Sequence, residues 1–312
     1  MIALVTGGAG FIGRHVVAEV MRRGGSVRVL DNFACAHPRS LDAFTNHRKF
    51  LGISRTDVTD QATVSREAAE VDVIYHLAAD VSVGASVRDP TTATRVNVLG
   101  TLAVAEAARC GDLRLVLVST CHVYAAADEP LDEASATLPT SPYAASKLAG
   151  EVIAQSYLAT YGLRLTTVRP FNVYGPWQRS DAEGGVVARF VSRDISGQTL
   201  NVHGGGRQTR DFVYVDDCAR GIVDAAIEPA VGSVINLATG RETSIDGLAR
   251  LVSGDSKRVQ HVVHPHPEAE VARYVGNSRL ALDQLGWEPA VSLVDGLEET
   301  RSWMVEYGPP SG

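Results

Sequence analysis

Leu4-Val5-Thr6-Gly7-Gly8-Ala9-Gly10-Phe11-Ile12-Gly13 is the stretch on which the fold turns. The apolar run from Ile2 to Val5 reads as a short buried strand. Three glycines at a spacing of three follow, and Val16, Val17 and Val20 then recur with the period of a helix. In a strand–turn–helix unit of this kind Gly7 permits the tight turn, Gly10 lets the backbone approach a pyrophosphate, and Gly13 lets the helix pack close to the sheet. The helix N-terminus presents unpaired N–H groups to the anion. Glycine is common in turns, so the triplet takes its weight from what surrounds it.

Val27-Arg28-Val29-Leu30-Asp31 is that context. It is a second apolar strand ending in an acid about 20 residues after the glycines, where a carboxylate accepts hydrogen bonds from adenosine ribose hydroxyls. An acid there repels a 2′-phosphate, so the pattern favours NAD over NADP. The competing reading is a simple turn at Asp31-Asn32.

Residues 32–48 are polar and mixed, a connection or short helix, and Lys49 to Ile53 reads as a third strand. Arg55 to Asp60 leads into a helix through residue 69. Asp57 and Val58 would lie beside the adenine in a dinucleotide fold, with helix capping by Asp57 the equal alternative. Val71 to Ala79 is a fourth buried strand running into small residues, and its end at Leu77, Ala78 and Ala79 leaves room for a diphosphate–ribose. A long helix from Thr91 to Cys110 carries Asn97 within an apolar face, and Leu113 to Val118 is a fifth strand. Ser141-Pro142 opens a helix through Tyr161, since proline suits a first turn, and Leu165 to Arg169 is a further strand.

Strands alternating with helices at this spacing imply an α/β fold, a doubly wound parallel sheet with ligands at the strands' carboxyl ends. From about residue 171 segments shorten and glycine turns appear, at Gly184-Gly185 and Gly204 to Gly206. Val234 to Leu237 reads as another strand of the main sheet, Thr243 to Val252 and Leu293 to Tyr307 as helices, and Pro309 to Gly312 as a frayed tail. The expected division is a cofactor lobe over 1–170, to which Val234–Leu237 returns, and a smaller, interrupted α/β substrate lobe mainly over 171–312.

A chain of 312 residues, 45% hydrophobic and 21% charged, suits one large α/β domain or two unequal lobes. Net charge is −7 without a long basic run, which gives no support to a nucleic-acid or anionic-membrane surface. Cys35, Cys110, Cys121 and Cys218 show no paired spacing, arguing against a disulfide framework or zinc site and for a reducing cytoplasm. The first strand starts at residue 2, which leaves no room for a signal peptide, and no apolar run approaches membrane-spanning length. His261, His264 and His266 lack helical ligand spacing, so no metal is expected.

Five motifs now stand in order: Thr6 to Gly13, His76-Leu-Ala-Ala79, Tyr143-Ala-Ala-Ser-Lys147, Arg169-Pro-Phe-Asn-Val-Tyr-Gly-Pro176 and Arg210-Asp-Phe-Val-Tyr-Val-Asp-Asp217. The chain closely resembles the extended short-chain dehydrogenase/reductases, with their Rossmann sheet, and within them the NAD-dependent nucleotide-sugar epimerase/dehydratase family, UDP-glucose 4-epimerase-like members above all. The resemblance runs nearly the whole length, to Leu285-Gly-Trp-Glu-Pro289. It implies a cofactor site that also takes in Phe11, Ile12, Asn32, Asn97, Ser119 and Pro170, and a nucleotide-sugar site at Val81, Ser82, Thr120, Asn172, Val187, His203, Arg210 and Arg273. It further implies a homodimer built by the 91–110 and 143–161 helices.

The chemistry follows from residue types. Tyr143 is a poor base at its ordinary pKa of about 10. Lys147, one helical turn on, and a positive nicotinamide both favour the phenolate. Tyr143 then takes a proton from a sugar hydroxyl while hydride passes to NAD, and Thr120 orients that hydroxyl. The resemblance also implies Asn172 and Arg210 at the diphosphate, with surface pairing of Arg210 to Asp211 or Asp216 as the alternative, and Arg273 as a second cation; family members often place that arginine a few residues earlier, where this chain has His264-Pro-His-Pro-Glu268.

Cys121-His122 marks the reaction. Family 4,6-dehydratases typically carry Asp-Glu after the threonine and decarboxylases usually keep the glutamate, whereas this chain has neither carboxylate. The leading expectation is a 4-epimerase acting on a UDP-hexose, with a dTDP-hexose as the other option. A dehydratase using Cys121 and His122 for proton transfer comes next, then a 4-ketoreductase, then a non-catalytic NAD-binding regulator.

Overall fold

Short apolar strands, each followed by a helix, build the centre of the molecule, a computed structural model that describes residues 1–181, 185–254, 258–264 and 270–308. The strands β1 (Ile2–Thr6), β2 (Ser26–Leu30), β3 (Phe50–Ser54), β4 (Val73–His76), β5 (Arg114–Val118) and β6 (Arg164–Pro170) alternate with helices. The helices are α1 (Phe11–Arg22), α2 (Gln61–Glu67), α3 (Val83–Arg88), α4 (Pro90–Thr94), α5 (Gly100–Gly111) and α6 (Pro142–Tyr161). The late strand Val234–Leu237 pairs with β6, completing a seven-stranded sheet in the order Val234–Leu237, β6, β5, β4, β1, β2, β3, parallel throughout.

Both faces of this sheet are covered, as a parallel sheet requires. Alternate side chains serve the two layers: Ala3 and Val5 pack with Val16, Val17 and Val20 of α1, while Leu4, Ile74, Leu115 and Leu165 pack with Val104 and Ala108 of α5. Each fully buried valine of α1 contributes roughly 1.5–3 kcal/mol. Strand order reverses at β1, between β2 and β4, so the crevice for a ligand opens at the carboxyl ends of β1 and β4, where Thr6 and His76 are register partners.

Three segments differ from the sequence expectation. The helix from Thr91 to Cys110 is α4, a π turn at Arg95–Leu99 and α5. The π turn surrounds Asn97, whose amide is bonded at Asp80 and Ser146. Asp60, not Asp57, caps α2, accepting from the Thr63 N–H at 3.2 Å. Thr243-Ser244 is a short strand against Thr209-Arg210, and Ser244 caps the helix Ile245–Ser253.

Beyond residue 171 lie three small sheets. Asn172–Tyr174 pairs with Phe212–Tyr214, Leu200–His203 pairs with Val259–Val262, and Thr209–Arg210 sits between Thr243–Ser244 and Arg273–Tyr274. Their own core contains Phe190, Leu200, Val202, Leu248 and Met304. Gly204 and Gly206 turn the chain with φ of +67° and +68°. Gly184, Pro265 to Glu268 and Pro309 to Gly312 lie outside the described residues. No described helix is long and apolar enough to cross a membrane.

Candidate active site

The first turn of the chain forms a cradle. Gly7 has φ +70°, and a Cβ there would lie 2.6 Å from the Ala78 nitrogen, so β1 and the chain after β4 touch through bare backbone. A Cβ on Gly13 would lie 2.0 Å from the Gly7 carbonyl oxygen, which leaves no room for any side chain where α1 crosses the turn. Gly10 stands at the N-cap of α1 without a side-chain cap, leaving the first-turn N–H groups for an anion. The buried Asp31 carboxylate closes the far side, accepting from the Ala9 N–H at 2.9 Å and the Phe33 N–H at 2.7 Å. Burial raises its pKa and those backbone bonds oppose the rise. The turn at Asp31-Asn32 is real too, since Asn32 Oδ1 accepts from the Ala34 N–H at 3.0 Å. Turn and cradle are one structure, and its anion-ready helix end with an acid at the end of β2 fits a dinucleotide.

Several expected cofactor residues are used internally. Asn97 Oδ1 accepts from the Asp80 N–H at 2.8 Å, and its Nδ2 donates to the Asp80 carbonyl at 3.0 Å and to Ser146 Oγ at 2.8 Å. Its amide therefore fixes the loop after β4 instead of reaching outward. The Ser119 hydroxyl donates to Glu151, away from the crevice. Asp57 accepts from the Thr59 N–H at 2.9 Å and pairs with Arg95 at 3.6 Å, and the buried Val58 packs under Gly100. Phe11 meets His15 edge-on at 6.2 Å beside Ile12, and Pro170 ends β6 opposite Leu237. Leu77 and Ala79 flank Ala78, whose N–H donates to Thr6 Oγ1 at 3.4 Å.

At the carboxyl end of β5, α6 brings Tyr143 and Lys147 under the crevice. Ser141 caps that helix, and Pro142 opens it as the sequence implied. The Tyr143 phenol is hydrogen-bonded to Thr120; burial pushes its pKa up to about 12 and the Thr120 bond pulls back. The Lys147 ammonium donates to the Val118 carbonyl at 2.7 Å. Burial takes Lys147 itself down to about 8, with Glu151 opposing. The lysine thus braces β5 against α6.

Cys121 and His122 part company. Cys121 is 1% exposed within the core, and burial pushes its thiol up to about 12. That corrects the expectation of a proton-transferring thiol, because a sealed, protonated sulfur is neither reachable nor a base. The His122 ring lies 6.2 Å from the Tyr143 ring and 5.0 Å from the Tyr274 ring, centre to centre. Burial holds it down to about 4, with Arg210 adding to the effect, so the imidazole is neutral.

The expected substrate residues form a partial ring. Arg210 lies with its guanidinium carbon 5.5 Å from the Tyr274 ring centre, so Tyr143, His122, Tyr274 and Arg210 follow one another in space. Arg210 pairs with Glu270 and donates to the carbonyls of Thr209 at 2.7 Å and Val271 at 2.9 Å. Neither Asp211 nor Asp216 is its partner. Asp211 accepts from Thr239, Gly240 and Gly276, and Asp216 bonds His15 at 2.6 Å. Arg273 lies on the neighbouring strand and donates to Glu242 at 3.1 Å. Asn172 Nδ2 donates to the Asp211 carbonyl at 3.3 Å. His203 faces His264 at 5.6 Å, Val81 is exposed, and Ser82 caps α3 by accepting from the Ala85 N–H at 3.0 Å. Val187 is the exception: its side chain is buried in the outer core, so it offers a ligand no side-chain contact.

Sequence reasoning missed Tyr274, Glu270, His76 and the Glu151–Arg169 pair. Glu151 alone carried a local signal, standing on the Tyr143–Lys147 helical face at a further interval of four. His261 pairs with Asp246 at 2.9 Å and His264 with Glu270 at 2.6 Å, while His266 lies outside the described residues. Among the described residues no group of three or more metal-ligating side chains assembles.

Comparison with known proteins places this geometry. The model of the NAD dependent epimerase/dehydratase family matches residues 3–238. A UDP-glucose 4-epimerase of Mycolicibacterium smegmatis is 36% identical over 304 residues, 96% of this chain and 97% of that protein. The structure of Pal from Bacillus thuringiensis superposes with a TM-score of 0.96 at 38% identity, covering 98% of this chain and 99% of the other. A dTDP-glucose 4,6-dehydratase of Streptomyces venezuelae, a double mutant solved with NAD bound, gives 0.92 at 32% identity over 98% of each chain. With the family model spanning most of the chain, and the cradle of Gly7, Gly13 and Asp31 suited to the dinucleotide, this chain belongs to the NAD-dependent epimerase/dehydratase family.

Proposed function

We propose that the protein is a nucleotide-sugar 4-epimerase, with a UDP-hexose as substrate. The observation that carries this reading is the pair after Thr120: where an elimination needs an acid and a base, this site has a sealed thiol and a neutral imidazole. The 4-epimerase of M. smegmatis, 36% identical over nearly the whole chain, supports it.

NAD, cradled by Gly7, Gly10, Gly13 and Asp31, would supply a positively charged acceptor that takes hydride from carbon 4 and returns it. Thr120 orients the sugar hydroxyl beside the Tyr143 phenol. Tyr143 takes the hydroxyl proton and later gives it back, which asks its raised pKa to fall when positive charge is placed near it. Arg210 and Asn172 hold the diphosphate while the oxidised sugar turns over, and Arg210 exchanges Glu270 for phosphate oxygens. Because the cycle is redox-neutral, the cofactor stays bound. The four free cysteines suit the reducing cytoplasm expected from the sequence, and a homodimer belongs to the same reading.

One observation favours a second reading. The His122 ring sits against Tyr143 as a neutral base, a place from which it can take a carbon-bound proton. A dehydratase would use it so, and the S. venezuelae neighbour is a 4,6-dehydratase. Incubation with UDP-glucose, UDP-N-acetylhexosamines, UDP-glucuronate and dTDP-glucose separates the two. An isomer of unchanged mass supports epimerisation, while loss of water or carbon dioxide overturns it. Tyr143→Phe abolishes product formation on this account; an equally active variant refutes the assignment of the base.

A further inference from the structure

Behind the Tyr143–Lys147 pair lies a buried ion pair that no step above uses. Glu151 is 4% exposed and Arg169 is 6% exposed. Arg169 Nη2 donates to Glu151 Oε2 at 2.5 Å and its Nε to Oε1 at 3.0 Å. The same Oε1 accepts the Ser119 hydroxyl, one residue before Thr120. Tyr143, Lys147 and Glu151 follow at intervals of four along α6 and share one face of it. One carboxylate therefore links α6, the end of β5 and the end of β6, which carry the phenol, the hydroxyl-orienting threonine and the start of the substrate loop. A buried pair of this kind is a weak source of stability compared with apolar side chains of equal volume, so its presence calls for another role.

We propose that Glu151 is a positioning residue: it fixes the ends of β5 and β6 against α6, and its negative charge keeps the buried Lys147 ammonium charged. The first half rests on the catalytic reading of Tyr143 and Thr120; the second stands on the buried Glu151 sharing the Lys147 face of α6 one turn on, whatever the substrate. The charged and titratable groups around Lys147 are few. Glu151 and Tyr143 come from its own helix, His76 from β4, and Arg169 from β6, while β5 offers hydroxyls and the Val118 carbonyl. His76 is neutral, held down to about 3, and Arg169 is positive, so Glu151 is the anion of the set. Without it the lysine faces burial and an unpaired guanidinium together.

The sequence makes the test direct, because the chain has three lysines, Lys49, Lys147 and Lys257. Labelling at lysine Cε with carbon-13 gives three titrating NMR signals, and Lys147→Arg identifies the one to follow. In the wild type that signal titrates near pH 8. In Glu151→Gln its midpoint falls by about one pH unit or more, whereas in Arg169→Gln, which leaves the carboxylate unopposed, it rises. Glu151→Leu combined with Arg169→Met replaces the pair by apolar volume and guards against misfolding; there the midpoint falls as well. With a nucleotide sugar, the two Glu151 variants lose kcat severalfold at unchanged KM, because the ends of β5 and β6 no longer hold Thr120 in place beside the Tyr143 phenol.

An unmoved midpoint in a folded Glu151 variant, or equal falls in Glu151→Gln and Arg169→Gln, overturns the proposal. Lower thermal stability with a wild-type midpoint and kcat marks a merely structural pair and overturns it too. Should the wild type turn over no sugar of the panel, the reading of function falls while the Lys147 titration still decides this one.

Discussion

His76 is buried at the end of β4, and the acid limb of the protein's stability should carry its signature. The Thr101 hydroxyl gives its proton to the Asn97 carbonyl at 2.7 Å, so it accepts from His76 Nε2–H at 3.2 Å. Nδ1 is then free to accept from the Thr6 hydroxyl at 2.8 Å, and the neutral ring is satisfied at both nitrogens. Burial first, and the Lys147 charge second, hold its pKa down to about 3 from an ordinary 6.5. The folded value is depressed, so the unfolded chain takes the proton first. The contribution is complete above the unfolded value near 6.5 and is lost as pH falls toward 3. At about 1.36 kcal/mol per pH unit, the loss is about 2 kcal/mol by pH 5 and about 5 kcal/mol over the whole interval. Carboxylates titrate in the same range, so the comparison is with His76→Gln, which keeps hydrogen-bonding groups and drops the titration. Urea unfolding at steps from about pH 7 to pH 4 should show the wild type losing stability faster than the variant by about 1.4 kcal/mol per unit. Parallel curves would refute a buried neutral histidine at this position.

Two further outcomes bear on the ligand sites. Gly13→Ala drives a methyl to within 2.0 Å of the Gly7 carbonyl oxygen, so the purified variant should release no dinucleotide on denaturation and unfold at a lower temperature; full cofactor content would contradict the cradle. Arg210→Ala should weaken UDP binding by roughly ten- to a hundredfold in calorimetry, with NAD content unchanged, as expected for a charge-assisted contact worth about 1.5–3 kcal/mol. Equal affinities would remove Arg210 from the diphosphate clamp.

The main sheet was legible because its signals are local. Val16, Val17 and Val20 repeat with the helix period, Ser141-Pro142 is a helix start in itself, and even the late strand Val234–Leu237 stands out as an apolar run between turns. What escaped was set by partners distant in sequence. Within the π turn Asn97 is bonded to Asp80 and Ser146, 17 and 49 residues away. Arg210 meets Glu270 across 60 residues, and nothing near Arg210 distinguishes that partner from the adjacent Asp211. The Lys147 ammonium goes to the Val118 carbonyl, a group every residue carries and no spacing announces. Residue type and interval told which side chains share a face, and burial decided their charge states, raising the thiol of Cys121 and lowering the imidazole of His122.

The π turn at Arg95–Leu99 has a consequence for the length of this part of the chain. It accommodates one residue more than a regular α-helical turn, a device common where a helix passes a functional cleft. Removing a single residue there would rotate everything downstream by about 100° about the helix axis. Thr101 would swing away from His76 and from Gly150 of α6, to which it now stands close, while Asn97 kept its place. Exchanging side chains at the outward positions leaves that phasing alone. In this stretch the number of residues, more than their kind, keeps the floor of the crevice in step with its wall.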